Sequence, residues 1–350
     1  MKLTSSQAWQ DDLASTADQV PEEAVRSGTY LVTGASGLIG SAFVDLLLRL
    51  RRTRSADIRV IAAGRDASKL HIRFGDADGL SFMPYDATRP FQFQEHVDFV
   101  VHAASNASPD LYMTDPCGTL SANIDGVRNL LEFARKTRVR KLLYVSSSEV
   151  YGVRSAPGPA REDDYGRVNP LDTRSSYAEG KRAAEAICAA YAAQHGVNVS
   201  IVRPGHIYGP TATQNDHRVS SEFPRLAARG EALVLKSAGL QRRSYCHCLD
   251  CATAMLAVLA FGENAAAYNI ANPVSAITIR EMAELVAAAG GVELKFSTAS
   301  AVEKAAFNPM DDSSLDAGRL LSLGWRGTFP AQRGLTRTVA VLKEILGNEA

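Results

Sequence analysis

A chain of 350 residues, 46% hydrophobic and 22% charged, can bury one large core or a large and a small one, and beyond its N-terminus nothing in it reads as disordered. Lysine plus arginine and aspartate plus glutamate balance at 38 each, so no global field recruits nucleic acid or an anionic membrane, and the basic cluster Arg49 to Arg54 reads as a solvated helix end. No apolar run reaches the roughly 20 residues that span a bilayer, and residues 1–27, with Asp11, Asp12, Glu22 and Glu23, lack the basic and apolar regions of a secretory signal; the expectation is a cytoplasmic protein.

In chain order, the N-terminal extension 1–27, with Trp9, Leu13 and Val20, reads as a short helix docking outside the core. Apolar runs at 29–33, 58–63, 80–84, 97–103, 141–147 and 197–203 then alternate with helical patterns over 39–50, 120–136 and 177–195. That alternation predicts an α/β, Rossmann doubly wound parallel sheet over 28–209. Beyond Gly209-Pro210 the pattern loosens into a helix, strands near 232–235 and 244–248, a helix over 251–261 and a strand at 267–270. Residues 210–350 therefore read mainly as a smaller, mixed α/β lobe that holds a substrate against the sheet edge.

The first run enters Tyr30-Leu-Val-Thr33-Gly34-Ala-Ser36-Gly37-Leu38-Ile39-Gly40. A strand, a Gly-x-x-Gly-x-x-Gly loop and a helix in this order suit a dinucleotide: Gly34 for the tight turn, Gly37 for close approach to the pyrophosphate, Gly40 for helix packing on the sheet. The second strand ends in Gly64-Arg65-Asp66, where an acid that binds the ribose hydroxyls is expected at Gly64. Arg65 suits a 2′-phosphate and hence NADP, whereas Asp66 taking the ribose from one turn later suits NAD, so the choice between NAD and NADP stays open. Asp86 is placed to accept from the adenine amine, or else to cap a turn. His102 packs at a strand end, and Ala103, Ala104 and Ser105 are small enough for a cofactor to pass.

Two further segments carry chemistry. In Leu142-Leu-Tyr-Val-Ser146-Ser147-Ser148-Glu149 a strand-end hydroxyl, taken as Ser147, can hydrogen-bond a substrate oxygen. In Ser176-Tyr177-Ala-Glu-Gly-Lys181 a phenol and an amine share one helical face; a phenol titrates near 10 and needs an adjacent cation to act as a base near neutrality. The cluster Cys246-His-Cys248-Leu-Asp-Cys251 alternates like a strand and lacks the turn of a zinc knuckle, so it reads as small buried thiols, with no metal site.

Together the glycine loop, Ser-Ser-Ser-Glu-Val-Tyr-Gly and Tyr177 with Lys181 resemble the extended short-chain dehydrogenase/reductase family of NAD(P)-dependent nucleotide-sugar epimerases, dehydratases and decarboxylases, over about residues 28–345. Ala104-Ser-Asn-Ala-Ser-Pro109-Asp-Leu-Tyr112-Met, Glu162 to Pro170 and Tyr177 to Glu185 look like the UDP-glucuronate decarboxylases, as do Arg218-Val219 and Arg243 to Asp250. The resemblance implies a tightly bound cofactor, transient oxidation of a nucleoside-diphosphate sugar at C4, catalytic Ser147, Glu149, Tyr177 and Lys181, and Arg243 on the diphosphate. It also implies substrate contacts at Ser147, Ser148, His206 and Arg218, and a homodimer built from the helices near 120–136 and 177–195.

Dehydratases of this family carry Asp-Glu where this chain has Ser148-Glu149, which leaves decarboxylation and C4 epimerisation. His206 replaces a usual asparagine near the diphosphate, and Met310-Asp-Asp-Ser-Ser lacks the arginine usual before Leu315-Asp316, so the base can differ from uracil. An NADPH-dependent 4-keto-sugar reductase and a non-catalytic dinucleotide sensor are the alternatives.

Overall fold

The computed structural model describes residues 3–105, 107, 109–300 and 310–349; Asn106 and Ser108 of the Ala104–Met113 stretch lie outside them. Its main sheet takes β1 (Gly28–Thr33), β2 (Ile58–Gly64), β3 (Leu80–Pro84), β4 (Phe99–His102), β5 (Lys141–Val145), β6 (Val199–Pro204) and, later in the chain, β10 (Ala267–Ile270). These seven strands are all parallel, in the order β10-β6-β5-β4-β1-β2-β3. The inner strands are near-continuous apolar runs because helices cover both faces.

Alternation of side chains splits each strand between two cores. Tyr30, Val32, Val60, Ala62, Val101 and Leu143 face α2 (Leu38–Thr53) and α8 (Cys248–Phe261). Leu31, Ile61, Ala63, Val100, Leu142 and Tyr144 face α5 (Pro116–Thr137) and α6 (Ser176–His195). Shorter helices α3 (Ala67–Phe74) and α4 (Pro109–Thr114) follow β2 and β4. Strand order reverses between β1 and β4, so the loops after these strands open a crevice at their C-terminal ends.

The second lobe has its own sheet, in which β9 (Arg242–His247) pairs with β7 (His206–Tyr208), β11 (Ala276–Thr278) and β13 (Asp312–Ser313). A two-stranded pair joins β8 (Leu233–Leu235) to β12 (Leu294–Phe296). Helices α7 (Val219–Ala228), α9 (Ile279–Gly290) and α11 (Ala331–Glu349) pack around Tyr208, Phe223, Tyr245, Met282 and Leu335; the short α10 (Gly318–Ser322) lies against β10.

Two elements read with this lobe belong elsewhere. Strand 267–270 is β10, hydrogen-bonded to β6 at the edge of the main sheet, and the helix read over 251–261 begins at Cys248 and packs on α2. Its thiols Cys248 and Cys251, like Cys246 at the end of β9, are buried among apolar side chains, as a helix apolar on all sides requires. A linear pattern reveals a strand's type but not which sheet it joins.

The N-terminal extension does form a helix, α1 (Gln7–Asp18), capped by Ser6, whose Oγ accepts from Trp9 N at 3.2 Å. It is not outside the core. Trp9 is 0% exposed within the α2 side of the core and donates Nε1–H to Asp45 Oδ2 at 3.0 Å. Asp12 takes Arg337 Nε at 2.9 Å, and Glu344 accepts from Ser6 Oγ at 2.7 Å and Ala8 N at 3.1 Å, so α1 binds both α2 and α11. Removing a fully buried indole forfeits transfer energy and leaves a cavity, so Trp9→Ala should lower unfolding stability by about 3–5 kcal/mol, read by equilibrium urea denaturation.

Candidate functional site

β1 delivers Thr33 into a turn in which Gly34 takes φ 68°; a Cβ there would stand 2.6 Å from Ala103 O, the first residue beyond β4. Glycine is thus required both by backbone sign and by contact across the crevice. A Cβ on Gly40 would meet Gly34 O at 2.3 Å, so the start of α2 lies directly on the loop. Gly37 is the N-cap of this 16-residue helix and no side chain caps it. The first-turn N–H groups thereby face the crevice, an anion site by geometry and dipole.

The surroundings are small, as a dinucleotide requires. Ala103 and Ala104 line the end of β4, with Ala104 N 3.4 Å from Thr33 Oγ1, and Ser105 Oγ donates to Asn123 Oδ1 at 3.0 Å. Ser36 stands beside Gly64; Ile39 packs on the core, and Leu38 O accepts Thr211 Oγ1 at 2.8 Å, tying the loop to the segment after β7. His102 is buried with Nδ1 2.7 Å from Thr33 Oγ1, and burial pushes its imidazole down to about 3, so it is neutral.

Beyond the end of β2, Arg65 is exposed. Asp66 is engaged as the N-cap of α3, accepting from Ser68 N at 3.0 Å and Lys69 N at 3.2 Å. Asp86 closes a turn on Thr88 N at 3.0 Å and Thr88 Oγ1 at 2.8 Å. These bonds, with Arg89 and Arg65 nearby, hold its carboxyl below the usual range. A nicotinamide dinucleotide, NAD or NADP alike, fits this crevice: the glycine contacts, the uncapped α2 and the small residues after β4 suit a diphosphate and a nicotinamide arm.

Tyr177 and Lys181 lie one turn apart at the start of α6, beside the end of β5. Lys181 Nζ donates to Val145 O at 2.7 Å and sits 4.9 Å from the Tyr144 ring and 5.8 Å from the Tyr177 ring. Two residues past Val145, Ser147 accepts Glu149 N at 3.2 Å and its hydroxyl lies near enough to the Tyr177 phenol to favour the phenolate. Burial pushes Tyr177 up to about 12 against the opposing influence of Ser147, and burial pulls Lys181 down to about 7. The phenol therefore holds its proton at rest, and Lys181 is the cation placed to ease its removal.

Arg174, Tyr112 and Glu185, to which the sequence reading gave no role, complete this wall. Arg174 reaches Glu149 with Nη1 at 3.3 Å and Nη2 at 3.4 Å, and its guanidinium lies 5.7 Å over Tyr112, which is stacked on Tyr177 at 5.4 Å. Glu149 is thus paired, not free. Glu185 binds Ser146 Oγ at 2.5 Å. Arg174 stands three residues before Tyr177 outside any motif; Glu185, four beyond Lys181 on one face, was visible as spacing.

The opposite wall comes from the second lobe. Arg243 on β9 is 3% exposed; its Nη1 donates to Arg242 O at 2.8 Å and Asp311 O at 3.3 Å. Arg218 makes a two-point pair with Asp216, at 2.9 and 2.5 Å, and its charge reaches Tyr177 and Tyr112. His206 lies against Tyr245; its Nδ1 is buried without a hydrogen-bond partner among the described residues. Burial, then Arg243 and Arg218, push its imidazole down to about 3. Ser148 is buried at the strand end between the walls. The sequence candidates therefore gather at the C-terminal ends of the strands, with Arg65 and Asp86 to one side, beyond β2 and β3.

A family model described as NAD dependent epimerase/dehydratase family matches residues 30–271. The chain belongs to that family. It is 37% identical over 260 residues to UDP-glucuronic acid decarboxylase 6 of Arabidopsis thaliana, covering 73% of this chain and 72% of that one. It is 31% identical over 325 residues to UDP-glucuronic acid decarboxylase 1 of Xenopus tropicalis, covering 91% and 73%. Among solved structures, a dTDP-glucose 4,6-dehydratase double mutant from Streptomyces venezuelae with NAD bound superposes with a TM-score of 0.75 at 26% identity over 91% of this chain and 98% of that one. A UDP-glucose 4-epimerase from Thermus thermophilus in complex with NAD gives 0.74 at 25%, over 90% and 99%. The member is an extended short-chain dehydrogenase/reductase type enzyme with the Rossmann sheet expected from the sequence. Because a Cβ on Gly40 collides with backbone, Gly40→Ala should cost about 1–3 kcal/mol and abolish NAD binding in calorimetric titration.

Proposed function

We propose that this enzyme converts a nucleoside-diphosphate sugar by transient oxidation at C4, and that its reaction is decarboxylation of UDP-glucuronate to a UDP-pentose. The observation that carries the reading is the Ser147–Tyr177–Lys181 arrangement in a cleft whose far wall is cationic, in a chain whose relatives bear the decarboxylase name. The loop of Gly34, Gly37 and Gly40 would hold the nicotinamide dinucleotide, NAD or NADP, which when bound would supply reversible hydride exchange at C4 and make the cycle redox-neutral.

Tyr177 takes the proton of the C4 hydroxyl while Ser147 holds the oxygen, and the ammonium of Lys181 offsets the developing phenolate charge. A ketone at C4 is β to the C6 carboxylate; the C5–C6 bond breaks, carbon dioxide leaves and the electron pair is held as an enolate over C4 and C5. A proton from solvent water adds at C5 and restores the ketone, and Tyr177 returns its proton to the C4 oxygen as that carbon is reduced again. Glu149, held by Arg174, lies beside this centre and orders water or the sugar ring there. Arg243 and Arg218 take the diphosphate, with His206 between them.

C4 epimerisation is a second reading. It rests on Ser148-Glu149 following Ser147, a pair that leaves both outcomes open after oxidation at C4. Ser148 in place of an acid disfavours dehydration. The added NADPH that a reductase consumes is unnecessary in either cycle. We also propose a cytoplasmic homodimer, in which exposed Ala186, Ala189 and Ala190 of α6 permit close helix approach. Among the described residues no helix is long and apolar enough to cross a membrane.

Proton NMR of the purified protein with UDP-glucuronate and no added cofactor is the test: a UDP-pentose supports decarboxylation, UDP-galacturonate supports epimerisation, and an unchanged spectrum rejects this substrate. In the same assay Tyr177→Phe should reduce turnover by about 10²–10⁴-fold while leaving the circular dichroism spectrum intact.

A further inference from the structure

Behind the Ser147–Tyr177 pair lies a buried polar cluster that the chemistry above does not use. Glu185 stands on α6 one turn beyond Lys181, so Tyr177, Lys181 and Glu185 form a row at four-residue spacing. Its carboxylate accepts Ser146 Oγ–H at 2.5 Å, Arg203 Nε–H at 3.0 Å and Arg203 Nη2–H at 2.6 Å. Arg203, buried on β6, donates with Nη1 to the Tyr151 hydroxyl at 3.0 Å and to Glu162 O at 2.7 Å, and Tyr151 donates to Asn269 Oδ1. Two-point guanidinium contact plus a hydroxyl donor is a setting built for a charged carboxylate. A buried ion pair contributes little net stability compared with apolar packing, so its placement here calls for another account.

The neighbours of Lys181 supply that account. From α6 it meets Tyr177, Glu185 and Cys188; from β5, the Tyr144 ring and the Val145 carbonyl; from β4, His102. On α5, Asn123 packs on Gly180 just before it. Burial keeps Tyr144 and Cys188 protonated and His102 neutral. Among the described residues, the Glu185 carboxylate is then the anion facing this ammonium, and the nearby cation, Arg203, is already paired with it. Ser146 lies between Val145, whose carbonyl takes the Lys181 proton donor, and Ser147, so one carboxylate is tied to both halves of the pair.

We propose that Glu185, clamped by Arg203 and Ser146, is a positioning residue that keeps Lys181 protonated and holds the end of β5 in register with Tyr177. The lysine is pulled down to about 7 by burial, and Glu185 is the largest influence in the opposite direction. Loss of its charge therefore moves Lys181 lower still, and the ammonium is lost at a more acidic pH. The kinetic consequence rests on the acid–base reading of Tyr177 and Lys181 given above; the charge state of Lys181 is read without it.

The experiment is an NMR titration of the full chain carrying [ε-13C]lysine, with the Lys181 signal assigned by its disappearance in Lys181→Met. Glu185→Gln, which is isosteric, keeps one oxygen to accept from Ser146 and Arg203 Nε, and removes the charge, is expected to lower the Lys181 midpoint by about one pH unit, a tenfold change in the protonation constant. Glu185→Asp keeps a charge for Arg203 and sets it back by one bond; it should shift the midpoint the same way by less. An unchanged midpoint in folded Glu185→Gln, or in Glu185→Asp should the glutamine variant not fold, overturns the proposal. With a turned-over sugar nucleotide, kcat should fall about tenfold at pH 8 with KM little changed, and the alkaline limb should move to lower pH. If the wild-type chain leaves UDP-glucuronate untouched, the substrate assignment fails while the lysine titration still decides the role of Glu185.

Discussion

Everything in this cleft depends on the contact between Gly34 and Ala103, where the loop after β1 presses against the chain leaving β4. Those two strands are neighbours in the sheet, yet their onward connections run to opposite sides, so the crevice exists because the strand order reverses there. A side chain at Gly34 would fill the approach, and one at Gly40 would lift α2 off the loop. The uncapped start of α2 is useful to an anion only because these two glycines hold it against the sheet.

The same sheet end assembles the reacting groups. Val145, Ser146 and Ser147 leave β5 next to the first turn of α6, and the Lys181 bond to Val145 O fixes the helix to that strand end. Burial acts on both members of the pair in the direction of neutrality, raising the phenol and lowering the amine. A site left to burial alone would hold a protonated tyrosine over a largely neutral lysine, which is why the groups that act against burial matter: Glu185, with Arg203 behind it, on the amine, and Ser147 and Arg218 on the phenol.

The two lobes are less separate than the chain order suggests. α8 covers the main sheet, β10 extends it, and α1 ties α2 to α11 through Trp9, Asp12 and Glu344. Thr211 reaches back to Leu38 from the segment that follows β7. The wall carrying Arg218, Arg243 and His206 is therefore anchored at several points to the main sheet on which α6 packs, and Arg218 acts on the Tyr177 phenol through space.

Much of this was legible in the sequence, because the features concerned are local. Strand-and-helix alternation gives a parallel sheet, three glycines after an apolar run give a phosphate loop, and a four-residue spacing sets Tyr177 and Lys181 on one face. What folding alone decided is non-local. It was the tertiary packing that paired β10 with β6, buried Trp9 in the main core, spent Asp66 and Asp86 on a cap and a turn, and brought Arg174 to Glu149 and Arg203 to Glu185. Periodicity and spacing record the geometry within one element; the partner of a buried charge is set by which elements the core brings together, and no local pattern encodes that.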